Sequence, residues 1–208
     1  MFLDELPEFK KSALEVLRGP LEDRKISISR VNASLTYPCN FMLVASMNPC
    51  SCGYYGSNEK ECTCSSQSIQ KYMGRISGPL LDRMDIHIEV TPVKYQKLAT
   101  KVKPESSSEI RKRVNKARKI QQERYKDYPI FSNAELTPSL MQKYCNLDYK
   151  CLQVLQNSFE KLGLSARAHS RILKVARTIA DLDEKENIEI KHLAEAIQYR
   201  SLDRKYFN

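Results

Sequence analysis

Four cysteines crowd into one short loop as Cys50-x-Cys52, nine intervening residues, then Cys62-x-Cys64. Thiolate sulfur binds Zn²⁺ tetrahedrally, and four thiolates close such a site without leaving a position for catalysis. Glycines and serines in the same loop allow the tight turns that wrapping one ion requires. Customary zinc pairs are separated by two to four residues, so a single intervening residue is a departure. A loop of reduced thiols without metal is the alternative. The expectation is a structural Zn²⁺ on Cys50, Cys52, Cys62 and Cys64. Cys39, Cys145 and Cys151 read as ordinary semi-buried cysteines, with Cys39 close enough in sequence to be a spare ligand. His87, His169 and His192 are scattered and read as structural.

A second set of residues has the chemistry of phosphate hydrolysis. Asp4 and Glu5 follow the apolar Met1-Phe2-Leu3, at what reads as the carboxyl end of a buried strand, where α/β sheets bind ligands. In nucleotide hydrolases the first such carboxylate holds Mg²⁺ and the second orients or deprotonates the attacking water. A solvated strand end is the plainer reading. Asn48 follows the apolar run FMLVASM at 41–47 and could sense a γ-phosphate, or simply open a turn with Pro49. Arg83, in RISGPLLDRMD at 75–85, could reach a neighbouring subunit's nucleotide and stabilise transition-state charge. The alternative is an internal pair with Asp82 or Asp85, worth under about 1 kcal/mol at a surface. Arg167 opens a helix whose basic residues also include Arg171, Lys174 and Arg177. A cation in a first turn opposes the helix dipole unless an anion lies nearby.

The pattern of apolar residues says which elements must position these groups. Phe9, Ala13, Leu14, Val16 and Leu17 fall at helical spacing over 7–18, and Gly19-Pro20 should stop that helix. Residues 25–37 alternate as two strands of a hairpin around Asn32-Ala33. The run at 41–47 suits a strand buried on both faces. Helices are expected over 67–76 and from Gly78-Pro79 through Leu81, with a strand at 86–90. After a polar linker the rest reads as helix, at about 108–127, 137–145, 149–162, 165–182 and 191–200, with Ser165 as an N-cap. The expected fold is a partial α/β layer followed by an all-α bundle. Its divisions fall at 1–92, a linker at 93–107, and 108–208.

Composition sets the setting. The chain has 208 residues, 34 Lys+Arg and 25 Asp+Glu, for a formal charge of +9, a balance that favours a polyanionic partner such as nucleic acid. No apolar run approaches the roughly 20 residues of a membrane span, and the N-terminus lacks the regions of a signal peptide. A cytoplasmic setting is expected, in which the cysteines stay reduced.

Taken in order, FLDELPEF, ISISR, MLVASMNPCSCG, RISGPLLDRMDIHIEV, SARAHSRILKVARTIADL and AIQYRSLDRKYF resemble the C-terminal half of the magnesium-chelatase-like AAA+ ATPases. NPCSCG and YRSLDRKYF point to the ComM/YifB branch, which resembles a bacterial DNA helicase acting on branched DNA during natural transformation. The resemblance implies a partial P-loop ATPase core with a parallel sheet, followed by a helical lid. It implies Asp4 as the Walker B ligand of Mg²⁺, Glu5 as the catalytic carboxylate and Asn48 as sensor 1. Arg83 becomes the arginine finger, and Arg167 the sensor 2 contact to ATP phosphate. The hairpin matches one that points into the pore of related hexameric helicases, making Lys25 and Arg30 candidates for phosphate-backbone contacts with DNA. A ring, expected to be hexameric, follows from an arginine finger that needs a neighbour.

One departure is plain: no G-x-x-x-x-G-K-[ST] phosphate-binding loop occurs in these 208 residues. The family places it ahead of Walker B, so the chain is expected to be a fragment that neither binds ATP tightly nor hydrolyses it alone. Two rivals share some of these features. One is a chelatase-type ATPase subunit that needs no DNA contact. The other is a zinc-stabilised DNA-binding module without ATPase activity.

Overall fold

A computed structural model describes residues 1–30, 33–57, 60–90 and 104–200. The chain divides into two compact units, Met1–Met84 and a helical one beginning at Asp85. Residues 93–103 of the expected linker and 201–207 of the YRSLDRKYF motif lie outside the described residues, and the linker's expected end at 107 is already the first residue of a helix.

In the first unit β1 (Phe2–Leu3) pairs in parallel with β4 (Val44–Ala45), with Phe2 opposite Val44 and Leu3 opposite Ala45. The run at 41–47 is therefore not a strand buried on both faces. Leu3, Ala45 and Met47 pack against a core of Leu6, Leu14, Ile76, Leu80 and Leu81. The alternate residues Phe2, Met42 and Val44 turn the other way and are 64%, 77% and 49% exposed. Successive strand residues point to opposite faces, and helices cover only one of them here.

The helix expected over 7–18 is broken into pieces. A 3₁₀ turn over Leu6–Glu8 leads to α1 (Lys11–Val16), and α2 (Arg18–Asp23) follows at once. Gly19-Pro20 therefore does not end the helical region. Pro20 sits in the first turn of α2, where its missing N–H costs nothing. The hairpin forms as expected, with β2 (Lys25–Arg30) antiparallel to β3 (Ala33–Pro38) and Lys25 opposite Pro38. Its turn residue Asn32 lies outside the described residues. Past the cysteine loop come α3 (Ser66–Met73) and α4 (Gly78–Leu81), capped by the side chains of Ser65 and Ser77.

The second unit is helical: α5 (Ser107–Arg124), α6 (Pro138–Tyr144), α7 (Tyr149–Leu162), α8 (Ala166–Leu182) and α9 (Ile190–Gln198). Ser106 and Glu109 form a reciprocal capping box at the start of α5. Gly163 ends α7 at φ +60°, a conformation a side chain would strain. Residues 86–90 alternate as predicted but form no strand. The His87 N–H bonds instead to the Tyr199 carbonyl at 2.9 Å, while Ile86 and Ile88 remain exposed. The core collects Leu155, Ile172, Ala176, Leu193 and Ile197, and each buried Leu or Ile contributes about 1.5–3 kcal/mol.

Candidate functional site

Parallel pairing puts the carboxyl ends of β1 and β4 side by side. Asp4 is the first residue beyond β1 and Ser46 the first beyond β4, and the Ser46 hydroxyl donates to Asp4 Oδ1. The Glu5 N–H donates to the same oxygen at 3.1 Å. Glu5 itself stands in the left-handed region at φ 51°, a conformation uncommon for side chains with a Cβ and found most often at turns and functional sites. The exposed Asn48 lies two residues beyond Ser46. The buried Tyr72 of α3 brings its phenol near the Asn48 backbone N–H. Burial first, then the Glu8 charge, pushes the Tyr72 phenol up against the pull of that N–H. Asp4, Glu5 and Asn48 thus share one strand-end edge, and Ser46 and Tyr72 are the supports that sequence reasoning missed. Neither has a sequence signature, because each acts through a partner distant along the chain.

The cysteine loop converges. The sulfurs of Cys50, Cys52, Cys62 and Cys64 all lie within 4.8 Å of one another. Cys50 is 3.4 Å from Cys52 and 3.7 Å from Cys62, and Cys52 is 3.5 Å from Cys62. A tetrahedron of sulfurs 2.3 Å from Zn²⁺ has edges of roughly 3.8 Å, so the four thiols fit one such ion. The backbone N–H groups of Tyr54 and Thr63 pull the Cys52 thiol down to about 5. At Cys62 the Cys64 N–H pulls the same way, but burial and the neighbouring sulfurs outweigh it and push that thiol up to about 12. Cys39 is not one of the four.

Two family models divide the chain between them. The magnesium chelatase subunit ChlI model matches residues 1–98, and the ChlI C-terminal model matches residues 104–200. The competence protein ComM of Haemophilus influenzae is 44% identical over 205 residues, and the YifB protein of Salmonella typhimurium 42% identical over 206; each alignment covers 98% of this chain. The chain belongs to the magnesium-chelatase-like family, ComM/YifB type. A Mycobacterium tuberculosis relative, named Rv2897c, is 33% identical over 200 residues. The chain spans 39% of the length of the curated relatives it matches.

Within this magnesium-chelatase-like chain the remaining candidate residues have definite surroundings. Arg83 is largely buried: its guanidinium pairs with Glu22, and Nε and Nη1 donate to the Arg18 and Pro79 carbonyls at 3.1 and 2.7 Å. An internal pair exists, then, but with Glu22 of α2 rather than with Asp82 or Asp85. Arg167 stands exposed in the first turn of α8. The basic series that follows it is not one solvated face. Arg171 pairs with Asp85, Lys174 donates to the Ala134 carbonyl at 3.1 Å, and Arg177 is buried against Asp181. Lys25 and Arg30 stand five positions apart on β2, so they point to opposite faces of the hairpin, roughly 17 Å apart along it. Lys25 shares the face of the hydroxyl pairs Ser27–Thr36 and Ser29–Ser34. Arg30 shares the face of Ile26, Ile28, Leu35 and Tyr37, all at least 39% exposed. Among the described residues no helix is long and apolar enough to cross a membrane.

Proposed function

We propose that this chain forms the Walker B to sensor 2 portion of an ATP-driven AAA+ motor that acts on DNA. The observation that carries the proposal is the shared edge of Asp4, Glu5 and Asn48, brought together by the parallel pairing of β1 with β4. Asp4 would hold Mg²⁺, which supplies charge neutralisation on the nucleotide phosphates. The Glu5 carboxylate would orient and deprotonate the attacking water, and the Asn48 amide would report the γ-phosphate. In this reading Arg167 contacts ATP phosphate from the helical lid. Arg83 acts on the nucleotide of a neighbouring subunit in a ring, proposed to be hexameric, after exchanging Glu22 for that phosphate. The exposed apolar side chains Phe2, Met42 and Val44 support a further layer packed over that face of the sheet in the whole motor.

The DNA assignment rests on the exposed hairpin with Lys25 and Arg30, the +9 charge and the relationship to a competence protein. Zn²⁺ at the four cysteines would be structural, holding the loop between Asn48 and α3. A chelatase-type ATPase subunit is the second reading, favoured by the name of the matching family. It requires the same ATPase residues and no DNA contact. The test is Glu5→Gln in the full-length motor. Loss of about 10²-fold or more in ATP turnover with nucleotide binding retained is expected; undiminished turnover would remove Glu5 from the mechanism.

A further inference from the structure

We infer that a basic cleft between the segment after the Walker B pair and the end of α3, lined by Phe9, Lys10, Lys11, Lys71 and Arg75, binds single-stranded nucleic acid. The inference shares its ligand class with the hairpin reading but rests on different residues. The cleft has a volume of about 380 Å³ and is completed by Pro7, Glu8 and Gly74, within the range of sites that accept small-molecule groups. It gathers four cationic side chains and one carboxylate. That carboxylate is already committed: Glu8 pairs with Arg75 at 2.8 Å, and Arg75 also donates to the Pro7 carbonyl at 3.2 Å. The next acid along, Glu15, is held by Ser77 and Arg18, with Lys11 a weaker influence. Exposed Lys10 and Lys71 therefore face the cleft without a carboxylate partner among the described residues.

Like charges gathered this way repel one another until a polyanion spans them, and a phosphate backbone does so with release of its counterions. Phe9 selects among polyanions. Phe9 is 41% exposed beside the lysines, although the Leu6–Glu8 turn just before it buries Leu6 and Pro7. An accessible aromatic face within a cationic groove is the arrangement on which unpaired bases stack. Paired bases in a duplex offer no such face, so the cleft should prefer single strands. The order of the chain links it to the ATPase edge, because Phe9 lies four residues beyond Glu5 and Lys71 lies on the same helix as Tyr72.

The test is fluorescence anisotropy of the 208-residue chain with a labelled (dT)₁₅ strand and a 15-base-pair duplex over a salt series. Lys10→Glu with Lys71→Glu should weaken single-strand binding at least tenfold at low salt and lower the salt slope by roughly 1.4, two phosphate contacts at about 0.7 each. Phe9→Ala should reduce single-strand affinity several-fold, leave the salt slope unchanged and abolish the preference over duplex. Thermal melts of each variant should match the parent, since all three side chains are exposed. Unchanged single-strand affinity in the charge-reversed variant would overturn the inference. So would equal competition by a polyglutamate peptide that Phe9→Ala leaves intact, which would mark an acidic-protein site. Lys25→Ala with Arg30→Ala is the separate arm: loss there with the cleft variants unaffected contradicts the cleft alone, and the reverse contradicts the hairpin alone.

Discussion

The Ser46 hydroxyl donates to the Asp4 carboxylate across the ends of two neighbouring parallel strands. That bond ties the proposed magnesium ligand to the strand leading to Asn48 and so links the two sides of the edge. Ser46→Ala should change stability by no more than about 1 kcal/mol, because the pair is exposed. In the full-length motor it should raise the Mg²⁺ concentration needed for half-maximal ATP hydrolysis several-fold. Turnover measured against Mg²⁺ checks this; an unchanged requirement would make the bond incidental.

The helical unit is organised around a charge that the sequence did not advertise. Asp181 is fully buried, accepts from Arg124 at 2.8 and 2.5 Å and from Asn133 at 2.8 Å, and pairs with Arg177 at 3.1 Å. Arg177 also donates to the Glu186 and Lys185 carbonyls at 2.5 and 2.6 Å. Asn133 in turn accepts from the Tyr125 hydroxyl at 2.6 Å. Asp181→Ala leaves cations unpaired at the join of α5, α8 and the Asn133–Glu135 turn. It should cost about 3–5 kcal/mol in urea denaturation, and a loss under 1 kcal/mol would refute this role.

Acid stability should depend on Asp183. Lys191, at 2.5 Å, and then His192 hold its carboxyl down to about 2 from an ordinary 3.8. A depressed carboxyl pKa stabilises the fold above the unfolded value, and that contribution is lost as pH falls through the folded one. The window is therefore about pH 4 down to 2. Asp183→Asn should flatten the drop in urea midpoint between pH 5 and pH 2.5, with little further change from pH 5 to 7. An identical acid profile in parent and variant would contradict the assignment.

Zinc content is equally direct. Native mass spectrometry of chain purified without chelator should show one zinc per molecule. Cys62→Ser should lose it and Cys39→Ser should keep it, because Cys39 stands outside the cluster. Zinc-free parent chain, or a fully loaded Cys62→Ser, would return the loop to a set of reduced thiols.

Periodicity was enough to read the helical half, where the expected 149–162 coincides with α7 and the expected 165–182 with α8 and its Ser165 cap. These segments carry long apolar stripes and local caps, both of which are short-range signals. The first unit was harder because its elements are short. A strand of two residues such as β4 has no period of its own, and α1 and α2 are six residues each. Among candidate site residues, the convergence of the four cysteines was legible because they lie within one loop. The partner of Arg83 was not: Asp82 and Asp85 are near in sequence, but Glu22, 61 positions away, comes near only through the packing of α2 beside α4. Arg177 and Asp181 are four residues apart on α8, a local spacing that sequence does show; what it hides is their burial against Arg124 and Asn133, which only tertiary packing brings.

The proposal that this magnesium-chelatase-like chain serves a DNA motor is tested most directly by its affinity for DNA across a salt series. Anisotropy with single-stranded and forked DNA should show log affinity falling linearly with log salt, with binding weakened and the salt slope lowered when Lys25→Ala is combined with Arg30→Ala. Absence of binding even at low salt, despite the +9 charge, would contradict the account and favour a chelatase-type partner.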